Sequence, residues 1–186
     1  MSKRICPWWL GYFLASPLRR WLRQDPAKIL APYVCEGMTV FEPGPGMGFF
    51  TLELARRVGN TGRVIAVDVQ SRMISGLKRR AAKAGLLDRI DARVVSAESM
   101  GSTDLTGKID FTLAFAMVHE MPSAIQFFME AAALSKPGGH LLLAEPSGHV
   151  KDEAFEAELQ NAMQAGFIIA DRPKIPHRHA ALLTKA

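Results

Sequence analysis

Short runs of β-branched and aliphatic residues alternate with helix-length amphipathic stretches along most of this 186-residue chain. No other feature constrains the fold as strongly, because strands joined through helical crossovers must lie parallel. Strands are predicted at MTVFE (38–42), RVIAVD (63–68), IDARVVS (90–96), IDFTLAFA (109–116) and GHLLLAE (139–145). Between them, FFTLELARRVG ends at Gly59, SRMISGLKRRAAKAG opens on Ser71 as its N-cap and ends at Gly85, and SAIQFFMEAAALSKPGG opens on Ser123 and stops at Pro137-Gly138. KDEAFEAELQNAMQAGF reads as a further amphipathic helix closed by Gly166. FIIADRP and HAALLTK follow with a short connection, so they are expected to run antiparallel.

The fold class is therefore α/β: a Rossmann-like doubly wound sheet of seven strands, mostly parallel, with one antiparallel strand near the edge and helices on both faces. Sheets of this kind bind ligands outside the carboxyl ends of their parallel strands. A chain of this length most simply forms one domain with its own core. Residues 35–186 are assigned to it. Residues 1–34, in which SPLRRWL and DPAKIL each read as a cap followed by Pro at the first helical position, form a helical N-terminal segment or lid.

The two cysteines, Cys6 and Cys35, fit no disulfide framework and no metal-binding pair, which points to a reducing compartment, the cytoplasm. The basic, apolar start of the chain imitates an export signal, but Pro7, Trp8 and Trp9 interrupt its apolar run. No other segment approaches the length of a membrane span, so no stable membrane insertion is expected. Residues 1–100 carry 16 Lys and Arg against 8 Asp and Glu, whereas residues 101–186 carry 7 against 10. A basic half suits nucleic acid, an anionic surface or an anionic substrate. In LKRRAAKAG, however, the charges fall on the outer face of a helix, and nucleic acid is not the expected partner.

The first predicted strand runs into VFEPGPGMG, with glycines at 44, 46 and 48. Such a loop lets main chain approach a ligand, and the helix after it offers unpaired N–H groups to anything anionic. Dinucleotide folds use G-x-G-x-x-G, which would need glycine where this chain has Phe49. Glu42 stands two residues before the first glycine, and Asp68 ends the second strand, 20 residues after Gly48. A carboxylate at that strand tip suits the two hydroxyls of a ribose, so the combination points to an adenosine-containing ligand.

In order and spacing, VFEPGPGMG, VIAVDVQSRM, VVSAES, IDFTLAFAMVHEM and PGGHLLLAEP resemble the successive motifs of class I S-adenosylmethionine-dependent methyltransferases. The resemblance covers roughly residues 35–186. It implies S-adenosylmethionine as cofactor and S-adenosylhomocysteine as product. Gly44, Pro45, Gly46 and Gly48 would approach the methionine part, and Glu42 would hold the loop or meet the ammonium group through water. Asp68 would bind the ribose, with Val69 and Met73 against the adenine. Ser96, Ala97 and Glu98 stand where relatives meet the adenine amino group, with Ser96 in place of their Asp. Ala114 and Phe115 would supply carbonyls at the end of the fourth strand. The rivals are a nicotinamide-dependent reductase with an atypical loop and an aminopropyl transferase on the same fold.

Methyl transfer from a sulfonium needs a positioned nucleophile and a base only where the nucleophile arrives protonated. His119 and His149 are the candidates for that work. With His177 and His179 they lie in loops expected at one edge, so four histidines are expected to face one pocket. Neither an HxxxH helix nor a cysteine set supports a metal. In CPWWLGYF, Trp8, Trp9, Tyr12 and Phe13 offer an apolar roof, a membrane-surface contact or ordinary core packing. VHEM is similar to the motif of the small-molecule branch that includes quinone and arsenite methylases, and the arsenite group's several cysteines are absent. The expected activity is methylation of a small-molecule acceptor by a monomer or homodimer. The alternatives are a non-catalytic S-adenosylmethionine-binding protein or partner-dependent module, and a nucleic-acid methyltransferase.

Overall fold

The structure, a computed structural model, describes residues 25–97 and 99–186. Its strands are β1 (Thr39–Pro43), β2 (Arg63–Asp68), β3 (Ile90–Val94), β4 (Ile109–Phe115), β5 (Ser135–Pro146), β6 (Phe167–Asp171) and β7 (Arg178–Lys185). Among the described residues the α-helices are α1 (Pro26–Leu30), α2 (Thr51–Arg57), α3 (Ser71–Lys83), α4 (Ala124–Leu134) and α5 (Asp152–Gln164). The strand order is β3-β2-β1-β4-β5-β7-β6. β1 with β2, β2 with β3 and β4 with β5 are parallel, while β7 runs antiparallel to both β5 and β6. The seven-stranded, mostly parallel sheet with one reversed strand near its edge is the expected fold class.

The described residues fall into two compact units, 25–95 and Ser96–Ala186. In the first, α1 begins as its sequence suggests: Asp25 caps it by accepting the Ala27 N–H at 3.1 Å, and Pro26 fills a first-turn position. α3 buries Met73, Ile74, Leu77 and Ala81, whose spacing makes one helical face. Val40, Phe41, Val64 and Ile65 supply the strand side of this core, all at most 1% exposed. Each such side chain contributes about 1.5–3 kcal/mol through removal from water.

In the second unit, Leu141 through Glu145 are buried without a break. That is the signature of a strand covered on both faces. Ser123 caps α4 by accepting the Gln126 N–H at 3.3 Å, as predicted. The connection from β6 to β7 is short and the two strands are antiparallel, also as predicted.

Two helix limits differ from expectation. Ser71 is the first helical residue of α3 rather than its cap; Gln70 takes the cap position, and its N–H is held by Asp68 Oδ1 at 2.8 Å. α4 ends at Leu134, short of Pro137-Gly138. Pro disfavours helical backbone in the residue before it, and Ser135 is already extended (φ −69°, ψ 140°) and in register with Ile109. Trp8, Trp9, Tyr12, Phe13 and Cys6 lie outside the described residues, as does the proposed lid before residue 25.

Candidate functional site

In the first unit, β1 carries Glu42 to the head of the glycine loop. Gly44, Gly46 and Gly48 all take left-handed backbone, with φ of 68°, 56° and 85°. The three serve different ends. The Gly44 N–H donates to the Val67 carbonyl at 2.9 Å and ties the loop to β2. At Gly48 a Cβ would lie 2.4 Å from Leu77 Cδ1, so this glycine lets the loop pack on α3. At Gly46 a Cβ would meet no described atom within 4 Å, so main chain there is open to a ligand. Arg80 reaches back from α3 to donate to the Met47 carbonyl at 2.5 Å, and Pro45 is buried beneath the loop. Burial lowers the pKa of that guanidinium.

Glu42 is 4% exposed, and its Oε2 has no hydrogen-bond partner among the described residues. Burial pushes its carboxyl up to about 7, the nearby Thr51 hydroxyl opposes the rise, and the negative charge of Asp68 adds to it. Asp68 stands half-buried at the end of β2. Val69 is 38% exposed, whereas Met73 is turned into the core at 3%. Ser96 and Ala97 are exposed, and Glu98 lies outside the described residues.

In the second unit, β4 ends on Ala114 and Phe115, both buried. Ala116 follows in left-handed backbone (φ 57°), its N–H donating to the Ala144 carbonyl at 2.7 Å. This turn leads into a short 3-10 segment, Val118–Glu120, that presents His119. The side chain that organises it is Glu145, which is fully buried near the end of β5. Its Oε1 accepts the N–H groups of Val118 at 2.8 Å and Met117 at 3.3 Å, and its Oε2 holds His119 Nδ1. His119 Nε2 lies 3.9 Å from Glu120 Oε1. The bond to Glu145 raises the pKa of His119 and outweighs the opposing effect of burial; the charges of Glu145, Glu120 and Glu158 add to the rise. Arg178, at the start of β7, places its guanidinium 4.7 Å over the Phe115 ring.

Of the four histidines, His119 is held by Glu145 and His179 faces Asp152. His149 and His177 are exposed, and His177 takes left-handed backbone with φ 59°. His179 stacks 5.5 Å from the Phe155 ring and lies 3.4 Å from Asp152 Oδ1. It lines an open cleft of about 330 Å³ with Asp152, Phe155, Glu156, Arg172 and Ala180, none of them another histidine. Among the described residues no group of three or more His, Cys, Asp or Glu side chains is arranged so that it could hold a metal ion. No helix among them is long and apolar enough to cross a membrane.

Glu145, Arg178 and Arg80 were not singled out from the sequence. Glu145 had a visible signal: it is the lone carboxylate closing the apolar run LLLAE, and a buried carboxylate needs donors. The two arginines had none, because their partners lie 33 and 63 residues away along the chain.

A family profile described as a methyltransferase domain matches residues 35–177. The chain belongs to this family, and its motifs and fold are those of the class I S-adenosylmethionine-dependent methyltransferases. The ubiquinone/menaquinone biosynthesis C-methyltransferase UbiE of Hydrogenovibrio crunogenus is 28% identical over 59% of the chain and 42% of its own length. UbiE of Pseudoalteromonas translucida is 29% identical over 74% of the chain and 54% of its length. The chain thus spans about half the length of the curated relatives it matches. Among solved structures, a SAM-dependent methyltransferase from Aquifex aeolicus superposes with a TM-score of 0.84 at 24% identity, covering 97% of this chain and 98% of that one. The PH0226 protein from Pyrococcus horikoshii gives 0.74 at 14% identity, with 92% of each chain covered. These two likenesses speak for the fold.

Proposed function

We propose that the chain is a methyltransferase that uses S-adenosylmethionine to methylate a small-molecule acceptor. One observation carries the cofactor assignment: a buried glutamate with an unpartnered oxygen at the head of a loop whose Gly46 is open, followed by a carboxylate at the tip of the next strand. Glu42 suits an ammonium group, Gly44 and Gly46 let main chain approach the ligand, and Asp68 suits ribose hydroxyls. When bound, this cofactor supplies a methyl group on an already activated sulfonium.

The work left to the chain is orientation and proton transfer. Glu145 accepts from Nδ1–H of His119, which leaves the lone pair on Nε2 to take a proton from the acceptor. A basicity raised above that of an ordinary histidine favours this role. His149, exposed beyond the end of β5, would orient the acceptor. A small-molecule acceptor accords with the UbiE relatives, whose name assigns them carbon methylation in quinone biosynthesis. We place the protein in the cytoplasm, as a monomer or homodimer, with residues 35–186 as the catalytic domain.

Calorimetric titration with S-adenosylhomocysteine, with NADH as control, tests the cofactor. Micromolar binding of the first alone is expected; a preference for NADH would overturn the reading. Asp68→Ala removes the strand-tip carboxylate, and Gly46→Val fills the open side of the loop while straining a left-handed position. Each weakens S-adenosylhomocysteine binding at least tenfold, about 1.4 kcal/mol. Unchanged affinity in both would remove the loop from the site.

A further inference from the structure

Arg178 is the one described arginine with two buried guanidinium nitrogens, Nε and Nη1, that have no hydrogen-bond partner among the described residues. Buried N–H groups in folded proteins are nearly always paired, and a guanidinium has more donors to satisfy than any other side chain. Its surroundings account for the deficit. The Phe115 ring lies against the group, its centroid 4.7 Å from the guanidinium carbon, and offers no oxygen or nitrogen acceptor to these N–H groups. Burial lowers the pKa of the guanidinium, and the charge of Glu145 opposes that shift. Both oxygens of that carboxylate are already engaged, one by the backbone of Met117 and Val118 and the other by His119. Glu145 therefore has no oxygen left to satisfy the Arg178 donors.

We propose that Arg178 is the acceptor-binding residue of this unit and that it recognises a planar oxyanion, a carboxylate or an equivalent group, on the molecule to be methylated. A planar oxyanion can meet the edge of a guanidinium in its own plane through charge-assisted hydrogen bonds, which a neutral oxygen makes only weakly. The arginine and His119 are both positioned by the end of β5. Glu145 orients the imidazole, and Arg178 is paired in the sheet with Pro146, the next residue of β5, so the group that would take the acceptor's proton and the group that would hold its charge are set from adjacent positions of one strand. The inference rests on the methyltransferase reading for what the acceptor is, but not for the presence of the oxyanion site.

Benzoate and benzamide serve as probes, since they match in shape and differ in charge. Their binding to the full chain is followed by saturation-transfer NMR, with and without saturating S-adenosylhomocysteine. Benzoate is expected to bind at least tenfold more tightly than benzamide, and Arg178→Gln to abolish the difference. Arg178→Met, which removes the unpaired donors and keeps apolar contact with Phe115, is expected to melt at a higher temperature than the wild type in the absence of probe. Equal binding of the two probes, a benzoate preference that survives in Arg178→Gln, or a lower melting temperature for Arg178→Met each overturns the proposal. If S-adenosylhomocysteine fails to bind while the benzoate preference holds, the cofactor assignment fails and the oxyanion site stands. The reverse pattern removes the oxyanion site alone.

Discussion

Glu42→Gln melts at a higher temperature than the wild type at pH 8, by an amount that shrinks as the pH is lowered to 5. The sign follows from the direction of the shift. The Glu42 carboxyl titrates near 7 in the folded chain against an ordinary value of 4.5, so the folded state keeps a proton that the unfolded state releases. Between those values stability falls as pH rises, and above 7 the buried charge costs the fold about 3 kcal/mol. Glutamine keeps the shape and removes the charge. The same substitution weakens S-adenosylhomocysteine binding, because the carboxylate proposed to meet the ammonium is gone. In the wild type, binding near pH 6 should release a proton, and calorimetry in buffers of different ionisation enthalpy reads it directly. A stability difference between variant and wild type that is independent of pH would show that Glu42 does not carry the buried charge.

The second large effect is expected at Glu145, through the imidazole it holds. In Glu145→Gln the amide oxygen can still accept from Met117 and Val118, but the amide nitrogen now faces His119 Nδ1 and demands an acceptor there. The imidazole is driven to the tautomer with its proton on Nε2, the atom proposed to act as base. With any acceptor that is turned over by the wild type, kcat should fall about a hundredfold, in line with the loss of a general base. Two NMR readouts need no acceptor: the ¹⁵N shifts of His119 exchange their tautomer pattern, and its pKa falls from its raised value toward 6.5. In the wild type the acid limb of the rate profile lies above 6.5 for the same reason. An unchanged His119 pKa in this variant would detach the histidine from Glu145 as a functional unit.

Local chemistry was legible in the sequence and long-range pairing was not. Asp25-Pro26 and Ser123 announce their helices because a cap acts within a few residues of itself. The alternation of strands and helices fixes the parallel core, and the short turn between β6 and β7 fixes the one reversal. The limit of α4 was misplaced because Ser135 and Lys136 are claimed by β5, a choice made by Ile109 and Asp110 on another strand. The histidines were grouped by the sheet edge from which their loops leave. What separates them is which side chain reaches which carboxylate, and for His119 that partner is 26 residues away.

Glu145 also bears on how this scaffold could be altered. On the loop after β4 it grips two backbone N–H groups, which belong to positions 117 and 118 whatever side chains stand there. A mutant library that varies positions 117 and 121 while keeping 119 and 145 would therefore change the side chains at both ends of the segment that carries His119 while leaving the anchor of its ring in place. The converse library, with position 145 randomised, would yield mainly chains whose loop has lost its anchor. A search for new acceptor preferences gains most by treating residue 145 as part of the backbone.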